Sequence, residues 1–219
     1  MNLATQATRD HPASRAAWML LGTLAHEAGD EQQLRQALDQ MERWDERWAP
    51  LLMALGYRAM QQGDFTGAQQ HFDEAHRLWP LNIAIQEALI QLDLHFDQTG
   101  TEALDRIRNL LGIDPWNPWG NFALGVYYYQ QDEHVLAESA LLRTVGTRPF
   151  PIAYNNLAWI LYQQGRHDDA LFYARNAIER EPNAAAFWDT LAHILEALGD
   201  TEAAAEAWRT AADQQTGSL

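Results

Sequence analysis

Among the side chains that most often do chemistry, this sequence offers histidine, carboxylate, serine and arginine but neither cysteine nor lysine. The first absence removes disulfides and thiolate chemistry. The second removes Schiff bases and any lysine-bearing phosphate loop. Eight histidines remain: His11, His26, His71, His76, His95, His134, His167 and His193. A metal site on a helix takes ligands three or four residues apart on one face. No pair of histidines has that spacing, and His71 and His76, five apart, diverge. His26-Glu27 and His167-Asp168-Asp169 lie next to turn signals, where polar residues belong. Carboxylates acting as a general acid and base need a cleft and unequal environments. Asp97, Asp132-Glu133 and Asp168-Asp169 read instead as turn or helix-start residues, where the helix dipole favours negative charge. No carboxylate is marked as buried by its neighbours. Ser14, Ser139 and Ser218 have no nucleophile-elbow setting. The expectation is a chain with no catalytic residue, no cofactor and no metal.

The elements that carry these residues recur at a fixed period. Trp18 is followed by Leu21-Gly22, Gly29 and Leu34. Leu55-Gly56, Gly63 and Ala68 take the same places one period on, and the beat continues at Ile90-Gln91, Leu124-Gly125, Leu157-Ala158 and Leu191-Ala192. Such a period marks a repeat architecture. Six units result, 15–48, 49–82, 84–117, 118–150, 151–184 and 185–219, forming one continuous domain. Each reads as two helices joined by a tight turn. In the second unit Leu52, Leu55, Gly56 and Ala59 share a helical face, Gly63-Asp64 breaks the helix, and Ala68, Phe72 and Ala75 form the next stripe. Pro80 ends it. Ala4, Ala7 and Pro12 fall where the second helix of a preceding repeat would put its last small residues and its proline. Residues 1–14 thus read as the remnant of such a repeat in a longer array, or as an N-terminal cap.

Apolar residues make up 47% of the 219, ample for a core, and Ala, Leu, Gln and Glu favour helix. The formal charge of −15 is spread along the chain, and every basic residue is arginine. Clustered cations for phosphate contacts are missing, which argues against nucleic acid. The acid fits solvated helix faces or a basic partner. No apolar run approaches the roughly 18–20 residues of a membrane span, and Met1 to His11 lacks a signal-peptide core.

The pattern of aromatic or leucine, Leu-Gly/Ala, turn glycine, alanine stripe and proline resembles the tetratricopeptide repeat. The fifth unit carries it in Leu157, Ala158, Leu161, Gly165, Ala170, Ala174, Ala177 and Pro182. The sixth carries it in Trp188, Leu191, Ala192, Leu195, Gly199, Ala204, Trp208 and Ala211. The third departs from it at Gln91 and at its turn, where Gln98 stands, and the first has Leu34 for a small residue and Glu46 for the proline. The resemblance implies an all-α fold, a right-handed superhelical solenoid of antiparallel helix hairpins. One hairpin cannot bury its apolar face alone, so neighbours must stack.

The resemblance also implies a concave groove lined by the first helices. Its residues here are Met53, Tyr57 and Met60, then Trp119, Phe122 and Tyr129, then Asn155, Asn156, Trp159 and Tyr162. Aromatic and methionine side chains are enriched at binding surfaces, and Asn155 and Asn156 could hydrogen-bond an extended backbone. Trp159 and Tyr162 fit ligand contact and inter-hairpin packing equally, while Trp119, between Pro118 and Gly120, leans toward packing. A clamp for a C-terminal carboxylate, as in chaperone-binding members, lacks its lysine. The function implied is a non-enzymatic scaffold holding a partner protein or peptide in the groove. The last two units resemble bacterial arrays in envelope assembly, secretion or polysaccharide export. The alternative is an accessory, substrate-positioning domain of an enzyme such as a glycosyl- or sulfotransferase. Apolar repeat ends could also self-associate.

Overall fold

The structure, a computed structural model, describes residues 2–44, 49–97 and 100–216, without the side chains at positions 2, 26, 27, 31 and 42. Glu46, Gln98, Ser218 and the side chains of His26 and Glu27 lie outside the described residues. Within them the chain is an all-α helical repeat of thirteen helices and no strand. These are α1 (Asn2–Asp10), α2 (Arg15–Glu27), α3 (Glu31–Glu42), α4 (Ala49–Gln61), α5 (Phe65–Leu78), α6 (Ile83–His95) and α7 (Thr101–Ile113). There follow α8 (Pro118–Gln130), α9 (His134–Thr147), α10 (Pro151–Gln163), α11 (His167–Arg180), α12 (Ala185–Ala197) and α13 (Thr201–Thr216). Packing divides the chain into two compact units, Met1–Leu92 and Asp93–Leu219, where the repeat pattern suggested one continuous domain.

The tight turns within hairpins share one construction. Gly29, Gly63, Gly165 and Gly199 have φ of +67°, +76°, +75° and +83°, a left-handed conformation that costs a residue with a Cβ. Behind each glycine the next amide reaches back five residues, as Asp64 N does to the Ala59 carbonyl at 2.9 Å, the closure of a Schellman motif. Asp30, Asp64 and Asp200 then cap the following helix, their carboxylates accepting from the amides of Gln33, Gly67 and Ala203 at 3.0, 2.9 and 3.1 Å. In the third and fourth repeats the left-handed position belongs to Asp97 (φ 53°) and Asp132 (φ 60°). The turn of the third repeat therefore pivots one residue before Gln98.

A second device joins successive hairpins. Trp18 Nε1, Gln86 Nε2, Asn121 Nδ2 and Trp188 Nε1 each donate to the carbonyl of a proline six residues earlier, Pro12, Pro80, Pro115 and Pro182, at 2.7 to 3.0 Å. Proline stops one helix, and its carbonyl, free of any helical ladder, receives a donor from the next. Gln86 and Asn121 thus replace tryptophan without losing the bond.

Second helices bury narrow stripes of alanine: Ala68 and Ala75 beside Phe72 in α5, Ala170, Ala174 and Ala177 in α11, and Ala204, Ala207 and Ala211 in α13. First helices bury more of their circumference, as α10 does with Ala153, Asn155, Leu157, Ala158, Ile160 and Leu161, because they are flanked by their own hairpin and by neighbours. A Cβ on Gly56 would come within 2.7 Å of the Phe72 ring, and one on Gly125 within 2.7 Å of Leu141. In the first unit, one core gathers Phe72, Ile85, Leu89 and Leu92, and a second gathers Ala25, Leu34, Leu38, Met41 and Leu51. In the second unit a single core runs from Phe122 and Leu141 through Leu157 and Leu161 to Leu191 and Leu195. No helix among the described residues is long and apolar enough to cross a membrane.

Candidate functional site

In the second unit α8, α10 and α12 form the wall of a cavity of about 330 Å³. Gly125, Leu141 and Ile160 contribute its apolar part, with Val126, Tyr129, Asn155, Asn156, Trp159, Ala186, Asp189 and Thr190. The absence of a side chain at Gly125 lets Leu141 approach α8. Trp159 and Tyr129 are tied together: the indole Nε1 donates to the Tyr129 hydroxyl at 2.9 Å, which also accepts from Gln163 Nε2 at 3.4 Å. The Trp159 ring packs against Tyr162 at 5.2 Å and His193 at 5.5 Å, and His193 lies 4.7 Å from Trp208. These ring contacts tie the aromatic wall on α10 to α12 and, through His193, to α13.

The polar groups on this wall differ in how well they are satisfied. Thr190 Oγ1 donates to the Ala186 carbonyl at 3.1 Å. Asn155 is 8% exposed, yet its Oδ1 is buried with no hydrogen-bond partner. A buried acceptor left so costs about 1–3 kcal/mol. Asp189, the charged residue on the wall, is half exposed, with His193 Nε2 at 3.9 Å from its Oδ2.

The structure therefore brings Tyr129, Asn155, Asn156 and Trp159 to one cavity. Tyr162 backs Trp159 and stacks on His167 at 5.7 Å, without being a lining residue. Phe122 requires correction: at 6% exposed it belongs to the core, and its ring meets Phe150 at 6.1 Å. Trp119 packs with it, 4.6 Å from Phe150, so the two rings fill the joint between α8 and the α9–α10 connection rather than a groove. Leu141 and Ile160 are lining residues that spacing did not point to, because they arrive from the hairpin interior.

In the first unit Met53 and Tyr57 line a separate cavity of about 260 Å³ with Leu34, Leu38, Met41 and Leu51. Its polar handle is spoken for, since the Tyr57 hydroxyl donates to the Ala84 carbonyl at 3.2 Å. Burial, and then the nearby Glu87 charge, push that hydroxyl's pKa up. Met60 packs against the core of α4 to α6. A more polar hollow beside it presents Arg35, Arg58, Gln61 and Gln62. The expectation that no carboxylate is buried also needs correcting. Asp93 is 4% exposed and receives Arg106 Nε at 2.9 Å and Nη2 at 3.3 Å. The signal was a lone acid inside the apolar run Leu92-Asp93-Leu94, with an arginine on the following helix.

One tetratricopeptide repeat family model matches residues 151–184, and a second matches residues 2–45. No curated protein matches the sequence. Among solved structures, the chain is similar to the MamA protein with a TM-score of 0.58 and 20% identity, over 77% of this chain and 92% of that one. It is similar to a tetratricopeptide repeat protein from Parabacteroides merdae with a TM-score of 0.65 and 19% identity, over 88% and 77% of the two chains. Against the Cut9–Hcn1 hetero-tetramer of the APC/C the TM-score is 0.74 at 13% identity, over 96% of this chain and 42% of the other. These identities speak to fold alone. The family models fall on α1 to α3 in one unit and on the α10–α11 hairpin in the other, so the chain carries tetratricopeptide repeats at residues 2–45 and 151–184.

Proposed function

We propose that the protein is a non-catalytic interaction scaffold whose second unit holds an extended segment of a partner protein in the cavity walled by α8, α10 and α12. The observation that carries this reading is a cavity lined from three first helices by the aromatic pair Trp159 and Tyr129, the amides Asn155 and Asn156 and the Asp189 carboxylate. An extended peptide presents backbone amides on alternate sides, which the Asn156 side-chain amide can meet. The volume of about 330 Å³ is that of a small ligand pocket, enough for one or two side chains. Trp159 and Tyr129 offer rigid aromatic area of the kind that anchors interfaces.

The test selects heptapeptides from a randomised display library on the intact chain. Bound peptides are expected to shift the Trp159 indole and the Asn155 and Asn156 side-chain amide resonances. Trp159→Ala is expected to weaken them about tenfold or more, the cost of one lost aromatic anchor. Failure to select any peptide, or shifts confined to the first unit, would sink the reading.

A further inference from the structure

We infer that the cavity of the second unit recognises a cationic side chain, arginine or lysine, carried by the partner segment. This rests on the scaffold reading and specifies what the segment must present. Two observations converge on it. The charged residue lining the cavity is the Asp189 carboxylate, and no arginine lines it. The wall beside it is aromatic, Trp159 with Tyr129, held by the Trp159 Nε1 to Tyr129 hydroxyl bond at 2.9 Å.

Each feature narrows the guest. A carboxylate calls for donors, and a guanidinium or ammonium brings several of them together with positive charge. An indole face attracts that same cation through its quadrupole. An apolar guest would strip water from Asp189 without return. An acidic guest would meet Asp189 and a unit bearing 18 Asp and Glu against eight Arg. His193 Nε2 stands 3.9 Å from Asp189 Oδ2 and is itself packed against Trp159 and Trp208, while the half-exposed Asp189 lines the cavity. The surrounding acid also draws basic segments in from solution, and that attraction weakens with salt.

The experiment takes the heptapeptides selected on the intact chain and titrates each by calorimetry, with its basic residue as arginine, lysine, citrulline or norleucine. Citrulline keeps the shape and most donors of arginine but removes the charge. Selection is expected to enrich arginine or lysine at one position, and citrulline or norleucine there is expected to lose about tenfold or more in affinity. Asp189→Asn is expected to abolish most of the difference between arginine and citrulline. Because Asp189 is half exposed, this variant tests charge without opening the core. Peptides selected without a basic residue, or equal affinity for arginine and citrulline, would overturn the cation assignment and leave the scaffold reading standing. Absence of any selected peptide would overturn both.

Discussion

At the scale of the residue, a half-buried hydroxyl and a buried carboxylate are tied by bonds that spacing alone does not reveal. Burial and the Glu87 charge raise the Tyr57 hydroxyl pKa above its ordinary 10.0, so the folded chain holds that proton more tightly than the unfolded one. By linkage, the contribution of this proton to stability is full below pH 10 and is lost as pH rises through the folded value. Tyr57→Phe has no proton to release. At neutral pH it is expected to be less stable by about 0.5–1.5 kcal/mol, having lost the bond to the Ala84 carbonyl. Thermal melts from neutrality to beyond pH 10 should bring its stability and the wild type's together, and parallel curves would refute the assignment. Asp93 is the second case. It pairs with Arg106 at 5% and 18% side-chain exposure, so Asp93→Ala takes this carboxylate away from a largely buried guanidinium. The expected cost is about 3 kcal/mol, read from the denaturant midpoint at unchanged slope. Replacing both partners, Asp93→Leu with Arg106→Met, is expected to recover most of it. A double variant as unstable as the single one would mean that Arg106 is not the source of the loss.

At the scale of the element, the hairpins were legible because period, glycine and alanine encode local physics. The stripe Ala170, Ala174 and Ala177 is buried on α11 as its spacing requires, and Gly63 takes the left-handed turn position with φ of +76°. What spacing could not carry was the direction of side chains once hairpins stack. Phe122 shares a first helix with Tyr129, yet it turns into the core against Phe150 while Tyr129 faces the cavity. Asn155 looked like an exposed groove amide and is 8% exposed, its unmet acceptor being a property of packing. The turns show the same limit, because Asp97 and Asp132 adopt positive φ without the glycine that announces it. The left-handed conformation costs such a residue about 1–2 kcal/mol, of which glycine gives back about half through its entropy in the unfolded chain. Asp132→Gly is therefore expected to stabilise the chain by about 0.5 kcal/mol. Asp97 accepts from Gln130 Nε2 at 3.1 Å, so Asp97→Gly gives up that bond and is expected to be near neutral. Equal gains in melting temperature at both positions would show that the Gln130 bond contributes nothing.

At the scale of the whole molecule, the division at Leu92 and Asp93 and the separate cores on either side of it bear on how the chain comes apart. Stability in a repeat array is a sum of local terms and nearest-neighbour interfaces, so a lesion weakens its own repeat and its neighbours most. Leu157 is fully buried at the centre of the second unit's core. Leu157→Ala removes three carbons there and leaves a cavity, a change that costs about 2–5 kcal/mol. Native-state hydrogen exchange on this variant is expected to show the largest loss of protection in α8 to α13. The amides of α4 and α5, whose core is built from Phe72, Ile85 and Leu89, should keep most of theirs. An equal loss in both sets would mean that the chain opens as one cooperative body despite its separate cores. The candidate site follows the same logic, because the cavity is walled by α8, α10 and α12 and its Leu141 and Ile160 belong to the core that Leu157 anchors. A partner that fills the cavity binds only the folded form and should raise protection across these helices before it affects α4 and α5. The gain in exchange protection on adding a selected peptide should therefore map onto the helices that Leu157→Ala destabilises.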